Sequence, residues 1–285
     1  MNYRHAFHAG NFADVVKHVV LARILFHLAK KDAPFRVIDT HAGIGLYDLA
    51  GDEAERTGEW RGGIGRIRDA VLPPEIRELL APYFETLEAV RGLHGPSAYP
   101  GSPLIAQHLS RAQDRLIFIE KHPKDVIALE EAVGRDVRAK VIALDGWTAL
   151  NAYVPPKERR GLVLVDPPFE EKGEFGRMVE ALARAHRKWP TGVYALWYPL
   201  KNPVETRGFL RALKETGIPK MLRVELTVRR ETEGGPLAGT GMIIVNPPWT
   251  LSDEMDRILP HFCRILRQTS DAEWISTDLT AETKR

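Results

Sequence analysis

Cysteine is almost missing from this 285-residue chain: Cys263 is the single one. That excludes a disulfide framework and a cysteine-held zinc site, and it fits a reducing cytoplasm. No segment approaches the roughly 18 consecutive apolar residues that span a bilayer. The first residues are polar and histidine-rich where a signal peptide would carry an apolar run. Charge of one sign is also scarce, with 40 Lys and Arg against 38 Asp and Glu. Bulk charge therefore announces no nucleic-acid partner, and any basic surface has to be local. Gly-Lys-Ser/Thr does not occur, which excludes a P-loop. There is no internal repeat or low-complexity tail, and the last dozen residues read as frayed.

What is present is an ordinary globular balance, 44% hydrophobic and 27% charged, enough for a large core. Apolar runs of strand length recur at Phe35–Thr40, Arg115–Glu120, Lys140–Leu144, Gly161–Asp166, Gly192–Tyr198, Met221–Val228 and Gly241–Asn246. Most are continuous, as expected for parallel strands covered on both faces. Helical spacing fills the gaps at Asn11–Lys30, Ser102–Leu109, Pro123–Val133, Glu174–Lys188, Pro203–Thr216 and Leu251–Leu266. The alternation predicts a doubly wound α/β sheet. The strand around Arg223 alternates polar and apolar, which predicts a half-exposed sheet edge. Residues 51–98 hold no convincing strand but have helical spacing at Pro74–Val90, so they read as an inserted helical subdomain. The main domain is then 1–50 with 99–285.

The most informative feature is Asp166-Pro167-Pro168-Phe169, directly after the buried run Gly161–Val165. Two prolines end the ladder and leave rigid backbone with free carbonyls. Asp166 and the Pro167 carbonyl can accept the two N–H bonds of a planar base, while Phe169 stacks on its face. Three other strand ends carry polar motifs. Asp39-Thr40-His41-Ala42-Gly43-Ile44-Gly45 is a glycine turn, Glu120 is placed to bind ribose hydroxyls, and Asp145-Gly146 offers an acceptor beside a close approach for a ring. Singly each is weak: Glu120 serves equally as a turn cap, and Asp145 as a helix N-cap. Together they occupy the crevice where open α/β sheets bind ligands.

This order of motifs resembles an S-adenosylmethionine-dependent methyltransferase acting on an amino group. The resemblance implies a Rossmann-like, seven-stranded class I methyltransferase fold with the last strand antiparallel, here with a small helical insertion. Asn246-Pro247-Pro248-Trp249 also matches the tetrapeptide. Asp166 is favoured because it ends the fourth strand, beside the first strand and its glycine turn. Asn246 would end the antiparallel strand, at the opposite edge from the cofactor, and reads as a structural exit.

Residues Tyr3-Arg4-His5-Ala6-Phe7-His8-Ala9-Gly10-Asn11 invite a metal site. They lack the acid–histidine spacing of known zinc helices, so no metal is expected and a polar lid is preferred. With Tyr3–His18, Asp39–Gly45, 54–59, 99–106, Asp166–Phe169, 194–199 and Asn246–Trp249, nearly the whole chain resembles the RlmJ family of 23S ribosomal RNA adenine-N6 methyltransferases. The resemblance implies cofactor contacts at His18, His41, Ser102, Glu120, Asp145, Gly146 and Asp166. It implies catalytic roles for Asp166, Pro167, Phe169 and Tyr3, and substrate contacts at Lys17, Arg4 and Phe169. The family usually has tyrosine where this chain has Phe169, so a phenol is lost and the ring kept. The expected donor is S-adenosyl-L-methionine and the expected partner 23S ribosomal RNA, with the chain monomeric, cytoplasmic and without an obligate protein partner. Arg56, Arg61, Arg66, Arg68, Arg159, Arg160, Arg229 and Arg230 are candidate RNA contacts, and Glu231–Gly239 is expected to be a mobile loop. A DNA adenine methyltransferase is disfavoured because no target-recognition domain is added. A non-catalytic RNA binder is disfavoured because Glu120, Asp145 and Asp166 are all kept.

Overall fold

The structure, a computed structural model, describes residues 4–232 and 235–281. A short turn at His5–Phe7 leads into α1 (Phe12–Ala29), and β1 (Arg36–Asp39) and β2 (Leu46–Asp48) follow. Four helices come next, α2 (Asp52–Thr57), α3 (Glu59–Gly62), α4 (Ile64–Asp69) and α5 (Pro74–His94). Then come β3 (Ala98–Pro100), α6 (Ser102–Leu109), β4 (Arg115–Glu120), α7 (Pro123–Val133), β5 (Ala139–Ala143), α8 (Gly146–Tyr153) and β6 (Gly161–Val165). The chain continues through α9 (Glu174–Lys188), β7 (Val193–Leu200), α10 (Pro203–Glu215), β8 (Met221–Thr227), β9 (Gly239–Val245), α11 (Leu251–Leu266) and β10 (Glu273–Thr280).

Helix α1 starts where Asn11 accepts from the amides of Ala13 and Asp14, so two of the orphan N–H groups are satisfied. Its apolar residues then face the core on nearly every side: Val15, Val16, Val20, Ile24 and Leu25 are all buried. Each such side chain contributes roughly 1.5–3 kcal/mol on leaving water. This places α1 against the sheet, with the polar residues of its first turns, Asp14, Lys17 and His18, buried at one end.

The main sheet has the order β10-β8-β9-β7-β6-β1-β4-β5. Strands β5, β4, β1, β6 and β7 are parallel, and β9 runs antiparallel between β7 and β8. The continuous apolar runs are explained by two cores, one on each face. One holds α1, α5, α6 and α11, and the other α8, α9 and α10. Helices α2 to α5 leave after β2 and return before β3, which pairs antiparallel with β2. Ile64, Ile67, Ile76, Leu80 and Tyr83 from this excursion join the α1 core.

Two expectations fail. The sheet has eight strands, because Glu273–Thr280 pairs along β8. The sequence expectation of a frayed end is corrected: the stretch is a strand, although its burial is slight and shows no clean alternation. Backbone pairing to a free edge holds it, together with Thr280, whose hydroxyl accepts from Met221 N and donates to Ile218 O. For the same reason β8 is not an edge. Its polar position Glu225 is 4% exposed and accepts from the Tyr198 hydroxyl and from Arg223. The alternation therefore marked an internal polar pair and not a solvent face.

Candidate active site

The glycine turn after β1 packs against the ends of its neighbours. Gly43 has φ +62°, and a Cβ there would lie 2.5 Å from the Tyr47 hydroxyl. Glu120, at the end of β4, accepts from three amides: Gly43 at 3.0 Å, Lys121 at 2.8 Å and His122 at 2.9 Å. A carboxylate offers about four acceptor positions, so one is left for a guest. Asp145 caps α8 through Oδ1, which accepts from Thr148 N, and Lys121 approaches Oδ2 at 3.4 Å. Gly146 is fixed by space. A Cβ would fall 2.3 Å from the Thr40 carbonyl and 2.7 Å from His41 Nε2.

Behind the turn lies a buried carboxyl, Asp39, which accepts from the Ser102 hydroxyl at 2.6 Å. Burial pushes it up to about 7, against the opposing pull of that hydrogen bond. Ser102 opens α6, but its hydroxyl goes to Asp39 and does not cap the helix. His41 bonds Thr40 and sits edge-on to Trp147. His18 bonds the Tyr99 hydroxyl, which meets that of Tyr83. Burial lowers His41 to about 4 and His18 to about 3. Both rings are therefore uncharged at neutral pH and add no cation to the pocket.

Asp166 leaves β6 beside β1, and the Lys17 ammonium lies 2.5 Å from its Oδ2. Lys17 also reaches Asp14 at 2.8 Å, and Asp14 in turn accepts from Gly10 N and meets His5 at 3.0 Å. Burial alone would lower Lys17, but the two carboxylates hold it well above its usual value. Burial likewise pushes Asp14 up, and His5 and Lys17 outweigh it and hold Asp14 well below. Pro167 is buried and lines the cleft with Asp166. Phe169 takes φ +52°, which turns its ring onto Phe175 at 4.9 Å and edge-on to Trp197 at 5.8 Å. The Trp197 indole is anchored on Thr240.

The N-terminal stretch covers this space. His5 and His8 line the cleft, and His8 and Asn11 both bond Glu59 of α3. Arg4 stands off the cleft and pairs with Glu53 at 2.7 Å. Tyr3 lies outside the described residues, as do residues 233 and 234 of the Glu231–Gly239 segment. Of the candidate arginines, Arg66 donates to the carbonyls of Ile265 and Arg267, and Arg160 to those of Leu28 and Ala33. Arg61 and Arg68 pair with Glu55 and Asp69, and Arg56 lies over the Phe7 ring. Arg159 and Arg230 are exposed, and Arg229 is half-buried.

His18, His41, Ser102, Glu120, Asp145, Gly146, Lys17, Asp166, Pro167 and Phe169 thus line one cleft of about 1580 Å³. That exceeds the roughly 300–1,000 Å³ of an ordinary ligand pocket and leaves room for two nucleoside-sized guests. Sequence reasoning missed Asp39 and Asp14 as site residues. The first stood inside the quoted glycine turn, and the second three residues before Lys17 on one helix face.

Fold and site together define a class I methyltransferase with an amino-group acceptor motif. A family model described as "Ribosomal RNA large subunit methyltransferase D, RlmJ" matches residues 32–276. Ribosomal RNA large subunit methyltransferase J of Haemophilus influenzae is 40% identical over 99% of this chain and 100% of its own length. Its namesake from Escherichia coli is 42% identical over 91% of this chain and 92% of its own. A crystal structure of a Legionella pneumophila protein superposes with a TM-score of 0.85 at 34% identity, covering 95% of this chain and 98% of that one. The chain belongs to the RlmJ family of ribosomal RNA large subunit methyltransferases.

Proposed function

We propose that this cleft holds S-adenosylmethionine across the ends of β1, β4, β5 and β6 and presents Asp166 and Pro167 to the target adenine. The residues fit such a donor. Glu120 keeps an acceptor position for a ribose, Gly146 lets α8 start hard against Thr40 and His41 at the cleft wall, and the neutral His18 and His41 do not repel a cation. Ser102 at the start of α6 suits a carboxylate. When bound, the cofactor supplies an electrophilic sulfonium methyl group.

The chain's own part is orientation. Asp166 Oδ1 and the Pro167 carbonyl accept the two N–H bonds of the amine, which frees its lone pair from the ring. Phe169 offers a face to the base, with Phe175 and Trp197 fixing that ring from behind. Lys17 holds Asp166 in place. The alkylated amine is strongly acidic, and Asp166 takes its proton. Positioning of this kind supplies most of the rate when reacting groups are held at near-attack distance. The N-terminal stretch with His5 and His8 covers the guest, and Arg4 and Lys17 serve the RNA side. Residues 51–98 act as an inserted subdomain that anchors this cover through Glu59.

The observation that carries this reading is Asp166 beside the glycine turn of β1, in the same cleft as Glu120. Mass mapping of 23S ribosomal RNA from cells with and without the protein tests it, with one methyl on one adenosine as the expected difference. Asp166→Ala should abolish that methyl while circular dichroism stays unchanged. A near-normal rate from the alanine protein would refute the role, and unchanged RNA would refute the substrate. The reading also takes the chain to be a cytoplasmic monomer, and a dimer in size-exclusion chromatography would overturn the second point.

A further inference from the structure

Among the described residues, the catalytic cleft is lined by ten Asp and Glu side chains against five Lys and Arg. Such a lining repels the phosphates that an RNA brings with its adenine. The electrostatic grip on RNA therefore has to come from another part of the surface, because phosphate contacts supply most of the non-specific affinity.

A second concavity, about 400 Å³, has the opposite character. It opens at the amino ends of β1, β4 and β5, away from the strand ends that form the cleft. Register explains the clustering. Arg36 and Arg115 are partners on neighbouring strands, and Lys140 pairs one residue further along β4 than Leu116. Arg138 and Lys157 complete five cations, and among the described residues no carboxylate lines the concavity. Glu158 and Asp136 pair with Arg36 and Arg138 from outside it, which fixes both guanidinium groups. Lys140 and Lys157 are exposed and have no ion-pair partner among the described residues. With Arg36 and Arg138 neutralised by those partners, Arg115, Lys140 and Lys157 still leave an excess of three positive charges around the groove, in a chain whose net charge is only +2.

We propose that this groove is a second RNA-binding site that grips a phosphodiester segment of 23S ribosomal RNA remote from the methylated adenosine. The inference rests on the RNA-substrate reading above and extends it. The six residues of β4 separate groove from cleft by about 20 Å at roughly 3.3 Å per residue. The two sites therefore engage different nucleotides, and only an RNA large enough to pass around the sheet fills both.

The test is the double variant Lys140→Gln, Lys157→Gln, with filter binding to protein-free 23S ribosomal RNA over a range of potassium chloride. Two lost phosphate contacts should make the slope of log affinity against log salt shallower by about 1.5–2, and weaken binding roughly tenfold near physiological salt. Affinity for a short stem-loop carrying the target adenosine, and the methylation rate at saturating RNA, should stay at the wild-type level. Unchanged affinity and slope on the long RNA would overturn the proposal. So would a loss confined to assembled ribosomal particles, which would make the partner a protein. If neither protein methylates the RNA, the adenine-N6 reading itself has failed, and the binding slopes still report on the groove alone.

Discussion

Lys17→Met removes the cation shared by two carboxylates in a site that water barely reaches. Lys17 is 4% exposed and Asp14 2%. The ammonium contacts Asp14 at 2.8 Å and Asp166 at 2.5 Å, so the substitution leaves Asp14 with only His5 and the Gly10 amide. Breaking a buried pair from one side costs about 3–5 kcal/mol. With a urea dependence of about 3 kcal/mol per molar, the unfolding midpoint should fall by roughly 1–1.7 M. The pH dependence gives a second readout. In the wild type Asp14 is held well below its usual value, so its contribution is present above about pH 4 and is lost as pH falls through its folded value. Without Lys17 the pull against burial is reduced mainly to His5, so Asp14 is held down less and the variant keeps less of this contribution as pH rises. The gap between the two proteins should be widest near neutrality and narrow toward pH 4. Urea unfolding followed by tryptophan fluorescence at pH 5 and pH 7.5 measures it, with Lys17→Arg as a charge-keeping control. A methionine protein within 1 kcal/mol of wild type at both pH values would refute the reasoning.

Substitutions at two further positions, one behind the glycine turn and one in the cleft, separate their roles. Asp39 is raised from 3.8 to about 7, so its favourable contribution is complete below about pH 4 and is lost as pH rises through 7. Asp39→Asn should therefore gain stability relative to wild type between pH 4 and 7 and level off above. A constant gap in thermal unfolding across that range would refute the assignment. Phe169→Tyr restores the family phenol, and kcat should stay within about threefold if the ring only stacks. Phe169→Leu should lower kcat/KM by roughly tenfold or more, because stacking is worth about 1–3 kcal/mol per base. A tenfold gain from tyrosine would give the hydroxyl a role of its own.

Much of this was readable before any coordinates. The apolar runs predicted β1, β4, β5, β6, β7, β8 and β9 within a residue or two, and β1, β4, β6, β7 and β9, largely covered on both faces, leave no polar alternation to blur them. Strand β10 was invisible because it is held by pairing to an edge and buries little. In the site, the strand-end residues were legible because each follows directly from an apolar run. The contacts between them were not. Lys17 and Asp166 lie 149 residues apart, and Asp39 and Ser102 lie 63 apart, so only the sheet order brings them together. The N-terminal histidines suggested a metal by composition alone, whereas His5 and His8 meet the carboxylates of Asp14 and Glu59.

The two proline tetrapeptides show what sequence pattern leaves to topology. Asp166 and Asn246 both end a fully buried strand and both precede Pro-Pro-aromatic. What differs is strand direction. Strand β6 runs parallel to β1, so Asp166 emerges beside the glycine turn. Strand β9 runs against β7, with Val245 opposite Tyr194, so Asn246 emerges where β7 begins, at the far end of the sheet. There its side-chain amide donates to the carbonyls of Pro190 and Gly192 and is used up in closing the strand exit. Its aromatic residue, Trp249, is 83% exposed, whereas Phe169 is wedged between Phe175 and Trp197. The same four-residue pattern thus lines the proposed base site at one end of the sheet and forms a structural stop at the other. Reversing one strand is enough to separate the two roles.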